Sequence, residues 1–154
     1  MADTSEPLAL EHQLCFAVYA ASRAMTGLYR ELLDGLGLTY PQYLAMLVLW
    51  ERGDLTVKEL GARLRLDSGT LSPLLRRLEA GGLVRRSRQD GDERVVHITL
   101  TGKGTRLREQ AAGIPAQVLD AAGVTAAQAA ELRRTLERVT DSATSAADDL
   151  RGRR

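Results

Sequence analysis

A mainly helical chain with one small β-hairpin is what this sequence predicts, and three observations predict it. Apolar residues recur at helical spacing over long stretches at both ends. Helix-capping signals punctuate the stretches between. One segment, residues 83–100, is rich in β-formers around an Asp-Gly pair. With 154 residues, 44% hydrophobic and only 4% aromatic, the chain is long enough for one core. Its apolar set is dominated by Leu and Ala, which favours helices over a β-sandwich. A charged fraction of 27% fits a globular chain and not a disordered one.

The elements follow in order. Residues 1–7 (MADTSEP) read as a short disordered arm. A helix follows over 8–36, in which Leu10, Leu14, Ala17, Ala21, Ala24 and Leu28 repeat at alternating spacings of four and three, a heptad stripe. Phe16, Val18, Met25, Leu32 and Leu33 lie off that stripe, so the helix needs cover on more than one side, and a second chain can supply it. Gly35 and Gly37 end it. Pro41 suits the first turn of a helix over 42–52, stopped by Gly53-Asp54. Thr56-Val57-Lys58-Glu59 has the form of a capping box, in which hydroxyl and carboxylate satisfy free N–H groups, and it opens a short helix to Leu64. After a turn at Arg65-Leu66, Asp67 or Ser68 caps a helix to Ala80, which Gly81-Gly82 terminates.

LVRRSR and RVVHITL then flank a polar loop at 89–93 containing Asp-Gly, a hairpin. Thr101 caps a helix to about residue 121, with Pro115 as a kink. Thr125-Ala126-Ala127-Gln128 is a further capping box. It opens a last helix whose apolar stripe is Leu132, Leu136, Val139, Ala143, Ala147 and Leu150. The expected organisation is one integrated domain: a head over 37–100, and a helical dimerisation region over 8–36 and 101–150.

Charge is distributed unevenly. Residues 1–51 hold two basic and six acidic side chains, 52–106 hold twelve and seven, and 107–154 hold seven of each, so the positive charge sits in the middle of a chain of net charge +1. A local basic surface attracts phosphate whatever the net charge. The acidic first twenty residues lack a basic region ahead of an apolar one, and the longest apolar run, residues 44–50, is too short to span a bilayer. A cytoplasmic protein with no membrane partner is expected, its single Cys held as a thiol.

Two short helices joined by a tight turn and followed by a hairpin make a winged helix-turn-helix, whose second helix enters the major groove of double-stranded DNA. In residues 68–80, Leu71, Leu74, Leu75 and Leu78 form the face to be buried. Ser68, Thr70, Ser72, Pro73, Arg76 and Arg77 form the outward face. Small hydroxyls and Pro approach base edges and thymine methyls, and arginines pair with guanine or phosphate. Pro73 crowds the residue four positions back, but that is Gly69, at the cap. The hairpin adds Arg85, Arg86 and Arg88, with Asp92, Glu93 and Arg94 near its tip. An acid beside a tip arginine can hold its guanidinium for entry into the minor groove.

Asp92-Glu93-Arg94 followed by Leu100-Thr101, together with the helix order, resembles the multiple-antibiotic-resistance regulator (MarR) family over essentially the full chain. The resemblance implies a homodimer with interlocked first and last helices, two winged heads on a pseudo-palindromic operator, Arg94 in the minor groove and Asp92 as its orienting partner. A two-fold dimer places its heads one DNA turn apart, about 34–36 Å.

Cys15 sits near the N-terminal end of the first helix, where the dipole weakly favours an anion, and Tyr19 lies one turn on along the same face. A phenol there can donate to a thiolate. Tyr29 is fourteen residues further, about 21 Å along one helix, so it can reach Cys15 only from an antiparallel partner. Leu14-Cys15-Phe16-Ala17-Val18-Tyr19-Ala20-Ala21-Ser22-Arg23, with Leu38-Thr39-Tyr40-Pro41-Gln42-Tyr43, is similar to the organic hydroperoxide resistance regulator subgroup. That resemblance implies a peroxide-reactive Cys15 contacted by Tyr19 and by Tyr29 of the other subunit. Some members carry a second, resolving Cys near the final helices. This chain has one Cys, which leaves a mixed disulfide with a low-molecular-weight thiol, or over-oxidation, as the fate of its sulfenic acid.

Other classes weigh less. A thiol peroxidase needs Pro and Thr seven and three residues before the cysteine, where Leu8 and His12 stand, so an enzyme is not expected. Metal binding is not expected from two distant histidines, His12 and His97, and no cofactor motif is present. A repressor of the same family released by a small aromatic ligand, with Cys15 only structural, is the alternative. An interaction module without DNA binding is disfavoured by the arginines of residues 76–94.

Overall fold

The computed structural model describes residues 7–153, and the arm expected at 1–7 lies outside them except for Pro7. Seven helices and three strands follow in order: α1 (Leu14–Leu33), α2 (Tyr40–Arg52), β1 (Leu55–Thr56), α3 (Val57–Leu64), α4 (Ser68–Ala80), β2 (Val84–Gln89), β3 (Asp92–Leu100), α5 (Gly102–Ala111), α6 (Ile114–Ala122) and α7 (Ala126–Gly152). Short 3-10 turns at Leu10–His12 and Asp34–Leu36 flank α1. The helix expected from residue 8 therefore starts at Leu14. Gln13 is extended (φ −87°, ψ 113°), and its side-chain amide donates to the carbonyls of Pro7 (2.8 Å) and Ala9 (3.1 Å), closing the preceding turn instead of continuing the helix.

The capping signals locate the helix starts. Thr56 accepts from Glu59 N–H at 3.1 Å while Glu59 accepts from Thr56 N–H at 2.8 Å. Thr125 and Gln128 form the same reciprocal pair. A third box, Thr39 with Gln42, was not read from the sequence and moves the start of α2 to Tyr40.

The sheet is larger than a hairpin. β1 pairs with β3 (Leu55 opposite Ile98), giving the antiparallel order β1-β3-β2. The expected five-residue loop is a two-residue turn, Asp90-Gly91, with Gly91 at φ 93° and a register shift between Arg88 and Gln89. A two-residue hairpin turn needs positive φ, which Asp-Gly supplies.

The helix expected from Thr101 to residue 121 is two helices. α5 stops at Ala111, Gly113 precedes α6, and Pro115 stands in the first turn of α6, where its missing N–H costs nothing. The break coincides with a division of the chain into two compact units, one ending at Ala112 and one beginning at Gly113. In the first unit Leu33, Tyr43, Met46, Leu49, Leu60, Leu71, Leu75, Leu78, Val84 and Ile98 form the core, and no polar or charged residue is buried among the described residues. In the second, α6 buries Ile114 and Val118, and every residue from 131 to 153 is exposed.

The start of α5 is clamped to the turn after α4. Thr101 N–H donates to Leu83 O (3.0 Å), Thr101 Oγ1 to Gly82 O (2.5 Å) and Lys103 Nζ to Gly81 O (2.9 Å), while Trp50 Nε1 donates to Gly104 O (2.9 Å). A Cβ on Gly104 would stand 2.1 Å from Leu83 O. Gly104→Ala is therefore expected to destabilise the protein by about 1–3 kcal/mol through forced backbone separation. Urea denaturation will report this as a lower midpoint; an unchanged midpoint would show that the clamp yields freely.

Candidate nucleic-acid interface and thiol site

α4 is set by its cap. Asp67 Oδ1 accepts from Thr70 N–H at 2.7 Å, and that backbone bond, first among several at the helix start, holds the carboxyl below its ordinary range. Leu71, Leu74, Leu75 and Leu78 are buried, and Ser68, Thr70, Ser72, Arg76 and Arg77 are exposed, as their spacing requires. Pro73, expected on the outward face, is half-buried. Arg65, at the turn into α4, adopts the left-handed conformation (φ 54°), the one non-glycine to do so among the described residues.

The wing carries Arg85, Arg86 and Arg88 exposed on β2, and Asp92, Glu93 and Arg94 exposed at the start of β3. Arg88 meets Glu93 at 4.0 Å. Asp92 was expected to hold the Arg94 guanidinium. Instead its Oδ1 accepts from the Arg94 backbone N–H at 3.0 Å, because a carboxylate reaches the amide two residues on with no extended side chain between. Arg86 is engaged by Glu79, a residue not singled out from the sequence: Nε to Oε2 is 2.8 Å and the Arg86 N–H lies 3.4 Å from Oε1. Among the described residues no ion pair holds Arg76, Arg77, Arg85 or Arg94. A cavity of about 540 Å³ opens between α3, α4 and the hairpin, with Lys58, Ser68, Ser72, Arg86 and Arg94 among its lining. Lys58 joins this basic rim although its segment was read only as a cap.

Cys15 is exposed in the first turn of α1, closer to the helix start than its sequence position suggested, because the helix begins at Leu14. Tyr19 is also exposed, and its hydroxyl accepts from Arg23 Nη1 at 3.4 Å, with the guanidinium 5.6 Å from the ring centroid. An accepting phenol keeps its own proton to donate. Tyr29 lies near the far end of the same helix, so this chain does not bring it to its own Cys15. Its ring packs on Tyr40 (centroids 4.4 Å) and Tyr43 (5.7 Å), a three-phenol cluster between α1 and α2 that sequence reasoning quoted but did not assemble.

Burial first, and then Tyr40 and Tyr43, push the Tyr29 phenol up to about 12. A raised value means that folding favours the protonated phenol. Its contribution to stability is whole below the ordinary value of 10.0 and is lost as pH rises toward 12. Tyr29→Phe should remove one late phenolate ionisation from the ultraviolet titration and flatten the loss of stability between these pH values. Loss of an ordinary ionisation near 10.0 instead would place Tyr29 in solvent.

The family model described as transcriptional regulator SarA/Rot matches residues 27–110. The chain is 53% identical over 119 residues to the organic hydroperoxide resistance transcriptional regulator of Bacillus subtilis (strain 168), a match covering 77% of this chain and 81% of that protein. It is 51% identical over 148 residues to the HTH-type transcriptional regulator TtmR of Methylorubrum extorquens (strain PA1), covering 96% and 72%. The structure of reduced AbfR bound to DNA superposes with a TM-score of 0.76 at 34% identity, covering 88% of this chain and 93% of that one. Overoxidized AbfR bound to DNA gives 0.72 at 35% identity, covering 86% and 93%. The chain belongs to the SarA/Rot transcriptional regulators, winged-helix proteins of the MarR type, and within them it is similar to the organic hydroperoxide resistance regulators.

Proposed function

We propose that this protein is a cytoplasmic transcriptional repressor and not an enzyme. It binds a pseudo-palindromic double-stranded operator as a homodimer and is released when an organic hydroperoxide oxidises Cys15. One observation carries this reading: a capped helix and an adjoining wing present exposed hydroxyls and unpaired arginines on one head. Ser68, Thr70, Ser72, Pro73, Arg76 and Arg77 face the major groove and Arg94 the minor groove, with Asp92 setting the Arg94 backbone. Residues 37–100 serve as the DNA-binding part, and 8–36 with 101–150 as the dimerisation part.

Exposed apolar side chains on α1 (Leu14, Phe16, Val18, Tyr19) and α7 (Leu132, Leu136, Val139, Leu150) support the dimer. Each such Leu buried in an interface stabilises it by about 1.5–3 kcal/mol. Antiparallel α1 helices would bring Tyr29 of one subunit to Cys15 of the other.

The chemistry balances without a metal. The Cys15 thiolate attacks the terminal peroxide oxygen; the O–O bond breaks, and the leaving alkoxide takes a proton to become the alcohol. Sulfur is oxidised to the sulfenic acid, and the peroxide is reduced. A low-molecular-weight thiol then displaces water to form a mixed disulfide. A relative trapped on DNA while overoxidized favours the mixed disulfide over further oxygenation as the step that releases DNA here.

Fluorescence anisotropy on the gene's own upstream region tests this. Wild type is expected to bind, and to lose at least tenfold in affinity after an organic hydroperoxide and a small thiol. Cys15→Ser is expected to stay bound. Arg94→Ala should weaken binding about tenfold, the effect of a groove arginine worth about 1–3 kcal/mol. If wild type and Cys15→Ser both bind and both ignore the peroxide, Cys15 is a packing residue and induction passes to a small aromatic ligand.

A further inference from the structure

Glu79 stands where two electrostatic rules disfavour an acid. It occupies the last turn of α4, whose carbonyl end repels a carboxylate, and it lies in the most basic third of the chain, where residues 52–106 hold twelve basic side chains to seven acidic. An acid near phosphate weakens binding through space. The geometry shows what it does there. One carboxylate takes both the Nε (2.8 Å) and the backbone N–H (3.4 Å) of Arg86, so it holds the strand as well as the side chain. Both side chains are little more than a third exposed.

The bond sits halfway along the hairpin. Arg86 is opposite Ile98 in the β2 and β3 ladder, and it shares a face of β2 with Val84. Val84 and Ile98 are fully packed, whereas every β2 residue from Arg85 to Gln89 is exposed. Apolar packing therefore anchors the base of the wing and leaves its outer half to other contacts. The link from α4 to β2 contains Gly82 at φ 73° and is held at the base of the wing by Thr101 and Lys103, whose hydrogen bonds to residues 81–83 do not reach the strand beyond Val84.

We propose that Glu79 is a positioning residue. By gripping Arg86 it fixes the wing against the recognition helix, and Arg86 serves that brace and is not a phosphate ligand. The inference rests on the DNA-binding reading above.

Glu79→Gln keeps the shape and removes the charge. By charge alone the variant should bind DNA more tightly. The brace predicts the opposite: operator affinity about two- to fivefold weaker, the scale of a partly exposed ion pair. The slope of log affinity against log salt should be unchanged, since no phosphate contact is lost. Arg86→Ala should behave alike, whereas loss of a phosphate ligand would lower the slope by about 0.9. The exchanged pair, Glu79→Arg with Arg86→Glu, restores the side-chain ion pair without the backbone bond and should recover part of the affinity. Amide hydrogen exchange over residues 84–100 of the free protein should quicken in Glu79→Gln and slow again in the exchanged pair.

Equal or tighter binding by Glu79→Gln, a reduced slope in Arg86→Ala, or unaltered exchange would each overturn the proposal. Absence of salt-dependent binding by wild type would instead sink the DNA-binding reading, and exchange would then decide the brace alone.

Discussion

The head is built around the close approach of Gly104 to the carbonyl of Leu83. No side chain fits there, since even a Cβ would stand 2.1 Å from the oxygen. Because α5 starts this close, Thr101, Lys103 and Trp50 can all spend their hydrogen bonds on backbone carbonyls of the same knot. Those carbonyls belong to residues 81–83, the link between α4 and β2, and to the first turn of α5. One joint thus orients the recognition helix, the wing and the helix that leads out of the head. The last carbonyls of α4 accept from the N–H groups of the link (Gly81 to Arg77, Leu83 to Leu78, Gly82 to Glu79), and Thr101 and Lys103 in turn supply donors to the carbonyls of the link.

Charge and apolar surface are cleanly separated within the head. The core is aliphatic with Tyr43 among it, and no charged or strongly polar residue is buried among the described residues. The arginines therefore keep their hydration and stay available for long-range attraction to a polyanion. Where an arginine is held, as Arg86 is by Glu79, the partner is an acid at the surface, where the pair orders structure more than it stabilises it.

The thiol and the phenols occupy opposite ends of α1. Cys15 is exposed in the first turn with Tyr19 one turn on, and Tyr29 joins Tyr40 and Tyr43 where α1 meets α2. Burial keeps the Tyr29 phenol protonated far into the alkaline range, so it remains a donor at any physiological pH. A donor cluster at one end and a thiol at the other are complementary only across a two-fold axis. In the proposed dimer that symmetry would link the chemistry of sulfur to the spacing of the heads.

Much of the chain was legible without coordinates. Periodicity set the buried leucines of α4, and the reciprocal boxes at Thr56 and Thr125 located two helix starts, because capping and facing are local and depend on neighbours three or four residues away. The two-strand hairpin followed from Asp-Gly for the same reason. Missing were the features that depend on distant partners. Thr56 reads as a helix cap, and Leu55 and Thr56 become a strand only because β3 lies beside them. Gln13 and Gly113 break helices that apolar spacing alone would continue. The sequence by itself determined the order of the helices, which faces are apolar and where the basic charge lies. Only the tertiary structure decided that Asp92 holds a backbone amide, that Glu79 holds Arg86 and that three tyrosines meet, because each is a contact between groups whose approach no local spacing specifies.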